Sequence, residues 1–226
     1  MSITPISYIQ LSKSPPYNDH NHRRFWILAL LAGTERAGIN PMDIGQFNML
    51  AYLANAVARC YDIEPLNPIV LKEKNGILYP KLIWDLDRLV GMGLVRVSNI
   101  VLTSQGETKS VSYGITNRGI NSLKACTEVS EGLKNTAAAL SSTAMAFCRT
   151  RNNIDIESLH SRDGNLADNR FSDGDVVDFG LWDLNNSTAN SVDFVKENIS
   201  PVLPGSISTA VNLYAQYLAF LTSESH

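Results

Sequence analysis

Asp163, Asp168, Asp173, Asp175 and Asp178 could supply hard oxygen ligands to a metal ion or paired carboxylates to a hydrolytic site. A calcium loop needs ligands at alternate positions, a central glycine and a closing glutamate, and Ser172 to Asp183 lacks that closing residue. A two-metal nuclease also needs a lysine close by, and none lies inside this acidic stretch. The reading favoured is a solvated acidic loop that meets a basic partner or mimics DNA. His20 and His22 flank Asn21 after Asp19, but no cysteine accompanies them, and helix capping by Asn18 or Asp19 accounts for the run better than metal binding. His160 is isolated, with neither a Gly-x-Ser-x-Gly elbow nor a Cys-His arrangement around it. No glycine-rich loop with a lysine offers to cradle a nucleotide. Cys60, Cys126 and Cys148 are odd in number and far apart, which fits reduced thiols. No catalytic centre, cofactor or metal is therefore assigned.

The pattern of elements says more. Leu82, Leu86 and Leu89, with Ile83 and Val90 beside them, repeat at helical spacing from Pro80, and Gly91 and Gly93 stop the helix. The period then changes. Leu94 to Leu102 is rich in β-branched residues, Ser104 to Lys109 is a polar turn, and Ser110 to Ile115 alternates as a returning strand. Thr116 offers an N-cap to a short helix containing Ile120 and Leu123. Helix, hairpin and closing helix from Tyr79 to Gly119 read as the second half of a winged helix.

Upstream, residues 1–21 are an extended lead-in around Pro15 and Pro16. Arg23 to Arg36 forms an almost fully buried helix ending near Gly38. A second runs from about Asp43 to Tyr61, with Phe47, Leu50, Ala54, Val57 and Tyr61 on one face and small polar residues on the other. Asp62 to Tyr79 is irregular, with a short strand available at Ile69 to Leu71. Thr127 to Arg149 is a helix by propensity, and its small side chains permit close packing. Arg151 to Asn190 reads as an acidic, loop-rich connector. About Ser206 to Thr222 is a final helix whose stripe of Ile207, Val211, Tyr214, Leu218 and Leu221 returns to the N-terminal helices or meets another chain. The expected fold is α+β and mostly helical, with a winged-helix-like core, a β-hairpin wing and additional N- and C-terminal helices. Its segments are a lead-in (1–21), a winged-helix domain (22–126), a helix (127–150), an acidic loop-rich segment (151–200) and a packing or interface helix (201–226).

A net charge of −3 with 44% hydrophobic residues describes an ordinary globular chain without a general attraction to nucleic acid. No apolar run reaches the roughly 20 residues of a membrane span, and the N-terminus lacks the apolar core of a secretory signal. A cytoplasmic location is expected. A winged helix reads DNA with the helix before the wing. That helix carries Lys81 and Arg88 beside Asp85 and Asp87, and the neighbourhood adds Arg96, Lys109 and Arg118 against Glu107. The balance is close to neutral, which favours packing on protein over dedicated DNA reading. Trp26 and Trp182 read as packing residues. Trp84 is set apart from the leucine stripe, and exposed there it would anchor an interface. The candidate partner or DNA contacts are Lys81, Trp84, Asp85, Arg88, Arg96, Lys109 and Arg118.

Leu50 to Ala58 (LAYLANAVA), the proline-bounded loop ending in Gly76, and Tyr79 to Val95 (YPKLIWDLDRLVGMGLV) lie within Phe25 to Val95. That segment resembles the middle components of bacterial ABC-three-component systems, the group that includes Lamassu-type antiphage defence. The resemblance covers about a third of the chain and carries no catalytic motif. It implies a small non-enzymatic subunit that bridges an SMC-like ATPase and an effector, often a nuclease, and meets DNA mainly through that complex. Trp84, Asp85 and Arg88 would then be contacts to partners. The alternative is a free-standing dimeric winged-helix transcription regulator, joined through the Thr127 to Arg149 or Ser206 to Thr222 helix. An enzyme with an unrecognised carboxylate site is a third reading.

Overall fold

The computed structural model describes residues 20–66, 69–73, 76–102, 108–149, 159, 162–163, 166, 173–178, 186–199 and 206–223. Residues 1–19 of the lead-in, the proposed capping by Asn18 or Asp19, and the expectations for His160, Asp168 and Trp182 lie outside the described residues, while His20 and Asn21, expected in the extended lead-in, belong to the first helix. The architecture is α+β and mostly helical, with two small antiparallel sheets.

Helix α1 (His20–Arg36) starts three residues before the expected Arg23, and its first turn is tied down where Arg23 donates to a carboxylate on a later helix at 2.6 Å and to His20 Nδ1 at 2.7 Å. It ends where Ile39 N–H donates to Thr34 O at 2.9 Å and Gly38 takes φ of 77°, a left-handed cap suited to glycine. Strand β1 (Met42–Asp43) leads into α2 (Ile44–Val57), which Asp43 caps by accepting from Gln46 N–H at 2.9 Å. A short 3-10 turn, Ala58–Tyr61, follows.

Helix α2 is buried from Gln46 to Val57. The polar residues expected on a second face are inside the protein and hold the irregular segment that follows. Asn55 accepts from Leu66 N–H at 2.6 Å, and Asn48 accepts from Tyr79 N–H at 3.2 Å. Loop amides that would otherwise be orphaned in the core are thereby satisfied.

Strands β2 (Ile69–Glu73) and β3 (Gly76–Leu78) form a hairpin in register Leu71↔Leu78. Helix α3 (Pro80–Gly91) begins on proline at its first position, where no amide bond is lost. It closes with Leu94 N–H donating to Leu89 O at 2.9 Å and Gly93 at φ of 70°. Strands β4 (Val95–Leu102) and β5 (Thr108–Ile115) pair in register Val95↔Ile115 and Val97↔Tyr113, and β1 joins the far edge of β5, giving the order β1-β5-β4.

Thr116 caps α4 (Asn117–Val129) through Gly119 N–H at 3.1 Å. Ser130 takes an extended backbone, so α5 (Glu131–Arg149) begins four residues after the expected Thr127, which belongs to α4. Helices α1 and α5 approach closely at Gly33, where an added Cβ would sit 2.7 Å from Ala144 Cβ and 3.0 Å from Ser141 Cα.

The segment read as a loop-rich connector contains further structure. Strand β6 (Val176–Asp178) pairs with β2, giving the second sheet the order β3-β2-β6. Helix α6 (Ser187–Ile199) is capped by Asn186, which accepts from Ala189 N–H at 3.0 Å. Helix α7 (Ile207–Ser223) packs on α5 and α6, with Val211, Tyr214 and Leu218 buried. Among the described residues no helix is long and apolar enough to cross a membrane.

The outward face of α3 as candidate functional site

Leu82, Leu86 and Leu89 face the core, each at most 2% exposed. Their spacing fixes what faces out. At about 100° per residue, Pro80, Trp84, Asp87 and Gly91 form the outer crest of α3, and all four are exposed. Trp84 is 71% exposed, which no burial requirement of this chain explains. Lys81 and Arg88, both exposed, lie on one flank of the crest.

Asp85 corrects the expectation that it is a contact residue. It is 1% exposed and accepts from Arg23 Nε at 2.6 Å and Arg24 Nε at 3.1 Å, with His20 Nδ1 at 3.2 Å. Arg23 is itself 3% exposed, so the pair is a buried tie between the first turn of α1 and the middle of α3. A carboxylate so enclosed meets neither phosphate nor a partner. One of the two acids thought to offset Lys81 and Arg88 is thus removed from the surface.

Asp87 stays exposed, on the flank toward the hairpin. Burial, and second the Asp87 carboxylate, push the Tyr113 phenol of β5 above its ordinary pKa. Arg96 is exposed but separated from this face. Alternation along β4 puts it on the opposite side of the sheet from Val95 and Val97, lying over Gly114 and donating to Ile115 O at 3.3 Å. Arg118 stands at the end of α3, its guanidinium 3.8 Å from where a Cβ on Gly93 would sit. The Lys109 side chain lies outside the described residues. Met92, Val97, Ile100 and Val101 add exposed apolar surface beside α3 and along β4. The structure therefore brings Lys81, Trp84 and Arg88 together, places Arg118 at their C-terminal end, and removes Asp85 and Arg96. Arg24 is the residue the sequence reading missed; its side chain, 25% exposed, reaches the same flank through Asp85.

The acidic stretch behaves differently from a solvated loop at one position. Asp163 is 0% exposed and accepts from Tyr52 Oη at 2.6 Å, Thr188 Oγ1 at 2.6 Å, Tyr214 Oη at 3.0 Å and, more weakly, Leu166 N–H at 3.4 Å. Donors surround it where a cation would need acceptors, so it ties α2, α6 and α7 together instead of offering a ligand. Asp173 and Asp175 are exposed, and the side chains of Asp168 and Asp178 lie outside the described residues. Among the described residues no group of three or more His, Cys, Asp or Glu is placed to hold a metal ion. His20 Nδ1 accepts from Arg23 Nη2 at 2.7 Å beside Asp85, and His22 contacts Pro65 O at 3.3 Å and the Trp26 ring. The three cysteines are free thiols. Burial, with Asp193 second, pushes the Cys60 thiol up to about 12, where it is a poor nucleophile.

No family model matches the chain, and neither a curated protein nor a solved structure matches it.

Proposed function

We propose that residues 20–129 act as a winged helix used to dock protein, with α3 in the recognition position and β4 and β5 as the wing. In this reading the chain is a non-enzymatic adaptor in the cytoplasm that bridges an SMC-like ABC ATPase and an effector subunit, such as a nuclease, of a bacterial antiphage defence complex. The order of α1, β1, α2, α3 and the β4–β5 hairpin, with β1 on the far edge of β5, supports the domain assignment. The resemblance of Phe25 to Val95 to the middle components of Lamassu-type systems supports the choice of partners.

The observation that carries the reading is the composition of the α3 crest. Base edges in the major groove are read mainly by Arg, Lys, Asn or Gln, with Asp and Glu limited to the cytosine amine. Here the crest offers Pro80, Trp84, Asp87 and Gly91, which together present one indole donor and a carboxylate. An exposed tryptophan flanked by charged residues is instead the composition of an interface anchor. DNA is then met mainly through the ATPase. Co-expression with the chromosomal neighbours and sizing of the tagged chain tests this: stoichiometric co-elution with a large ATPase and a second subunit is expected. Elution of this chain alone as a dimer contradicts it.

One observation favours the second reading, a dimeric winged-helix regulator. With Asp85 buried, Lys81, Arg88 and Arg118 outnumber Asp87 on the surface of α3 and its C-terminal end. Selection of palindromic DNA by the purified chain would support that reading over the adaptor.

A further inference from the structure

Resting on the docking reading above, the charge around Trp84 identifies the chemistry of what docks there. The two flanks of α3 differ. On one side of the crest Lys81 and Arg88, three residues before and four after Trp84, are both exposed. Beneath this flank Asp85 has its charge met by the buried Arg23 at 2.6 Å. The further guanidinium of Arg24, at 3.1 Å and a quarter exposed, is therefore surplus positive charge at the rim. On the other flank stand the half-buried Ile83 and Val90, next to the hairpin, with Asp87 on that side of the crest.

We propose that the face binds an acidic protein surface, with an apolar pocket that receives the Trp84 indole and carboxylates that meet Arg24, Lys81 and Arg88. Duplex DNA fits these residues less well. Its phosphates would confront Asp87, and its polar groove edges would lose water against Pro80, Gly91 and Met92, whose side chains offer no strong hydrogen bond in return. An acidic protein surface complements the positive charge of this flank and removes the indole from water in one contact.

The probe is a synthetic amphipathic helical peptide with leucine on one face and glutamate on the other. It is titrated into full-length protein labelled with fluorotryptophan and followed by fluorine NMR. Of the three tryptophan resonances, the one lost in Trp84→Phe is expected to shift. The Lys81→Gln/Arg88→Gln double variant should weaken binding by roughly fivefold, the effect of two exposed charge contacts. A peptide with lysine in place of glutamate, and a short DNA duplex, should leave the resonance in place. No response to the glutamate peptide, an equal response to the lysine peptide, or a response to the duplex in preference to both overturns the proposal. The two levels separate in the complex purified with its genomic partners. Assembly that needs Trp84 but is indifferent to Lys81 and Arg88 removes the acidic surface and leaves the docking reading. Assembly indifferent to Trp84 removes the docking reading itself.

Discussion

Replacing Asp85 with alanine should destabilise the fold, and at the interaction face it takes away only the anchor of Arg24. The carboxylate is enclosed between α1 and α3, and its removal takes from Arg23, 3% exposed, a charge-assisted bond of 2.6 Å. Breaking one side of a buried ion pair costs about 3–5 kcal/mol, because the remaining charge stays desolvated. Arg24 and His20, with side chains 25% and 67% exposed, add little, since water screens them. For a chain of this length about 1 kcal/mol moves the melting point by roughly 2–4 °C, so Asp85→Ala should melt roughly 6–20 °C below wild type. The drop should persist in high salt, as buried pairs are poorly screened. Circular dichroism melts measure it, with Arg24→Gln as a near-neutral control. Combining Asp85→Leu with Arg23→Met should recover most of the loss, because a buried pair replaced by apolar groups of similar volume is often neutral. An Asp85→Ala protein that melts within about 2 °C of wild type yet fails to assemble with partners would refute the burial argument and return Asp85 to the contact surface.

Three more outcomes follow from other contacts. Asp163→Ala should lose on the order of 3 kcal/mol, since Tyr52, Thr188 and Tyr214 lose a shared buried acceptor. Urea unfolding measures this, and a change under about 0.5 kcal/mol, the size of a surface substitution, would contradict the hub. Gly33→Val should lower the melting point, because even a first added carbon meets Ala144 at 2.7 Å and Ser141 at 3.0 Å, and neither is a flexible side chain. A Gly33→Val melt equal to wild type would contradict that close approach of α1 and α5. The Cys60 thiol holds its proton to about 12 in the fold against 9.0 ordinarily, so the folded state binds the extra proton between those values. Its contribution to stability is therefore complete below pH 9 and declines as the pH rises toward 12. Iodoacetamide at pH 8 should label the exposed Cys126 well before Cys60, and the reverse order by peptide mapping would contradict the assignment.

Elements with a strong local signal were legible in the sequence. Pro80, the leucine repeat and Gly93 bounded α3 because helix start, stripe and left-handed cap are all local chemistry. The β-branched run and the Thr116 cap marked β4 and α4 for the same reason. Helix α6 was hidden because Ser187 to Asn190 has weak intrinsic helix preference and follows an Asp- and Asn-rich stretch; the cap at Asn186 and the repeat of Ala189, Val192 and Val195 were the available signals. Strands β1, β3 and β6 are two or three residues long and exist through pairing with distant partners, which no local pattern encodes. The candidate face was partly legible. Helical spacing separates Trp84 from the leucine stripe, but the same spacing cannot tell a buried Asp85 from a surface one. Only the arrival of Arg23 and Arg24 from α1, over sixty positions away, decides it.

The central claim is that Trp84 anchors a protein partner. Its most direct test is to co-express the tagged chain with its chromosomal neighbours, as wild type and as Trp84→Ala, and compare what co-elutes. An indole 71% exposed contributes little to the fold, so the variant should melt within about 1–2 °C of wild type while partner recovery falls severalfold. Full recovery of the partners with Trp84→Ala would contradict the account.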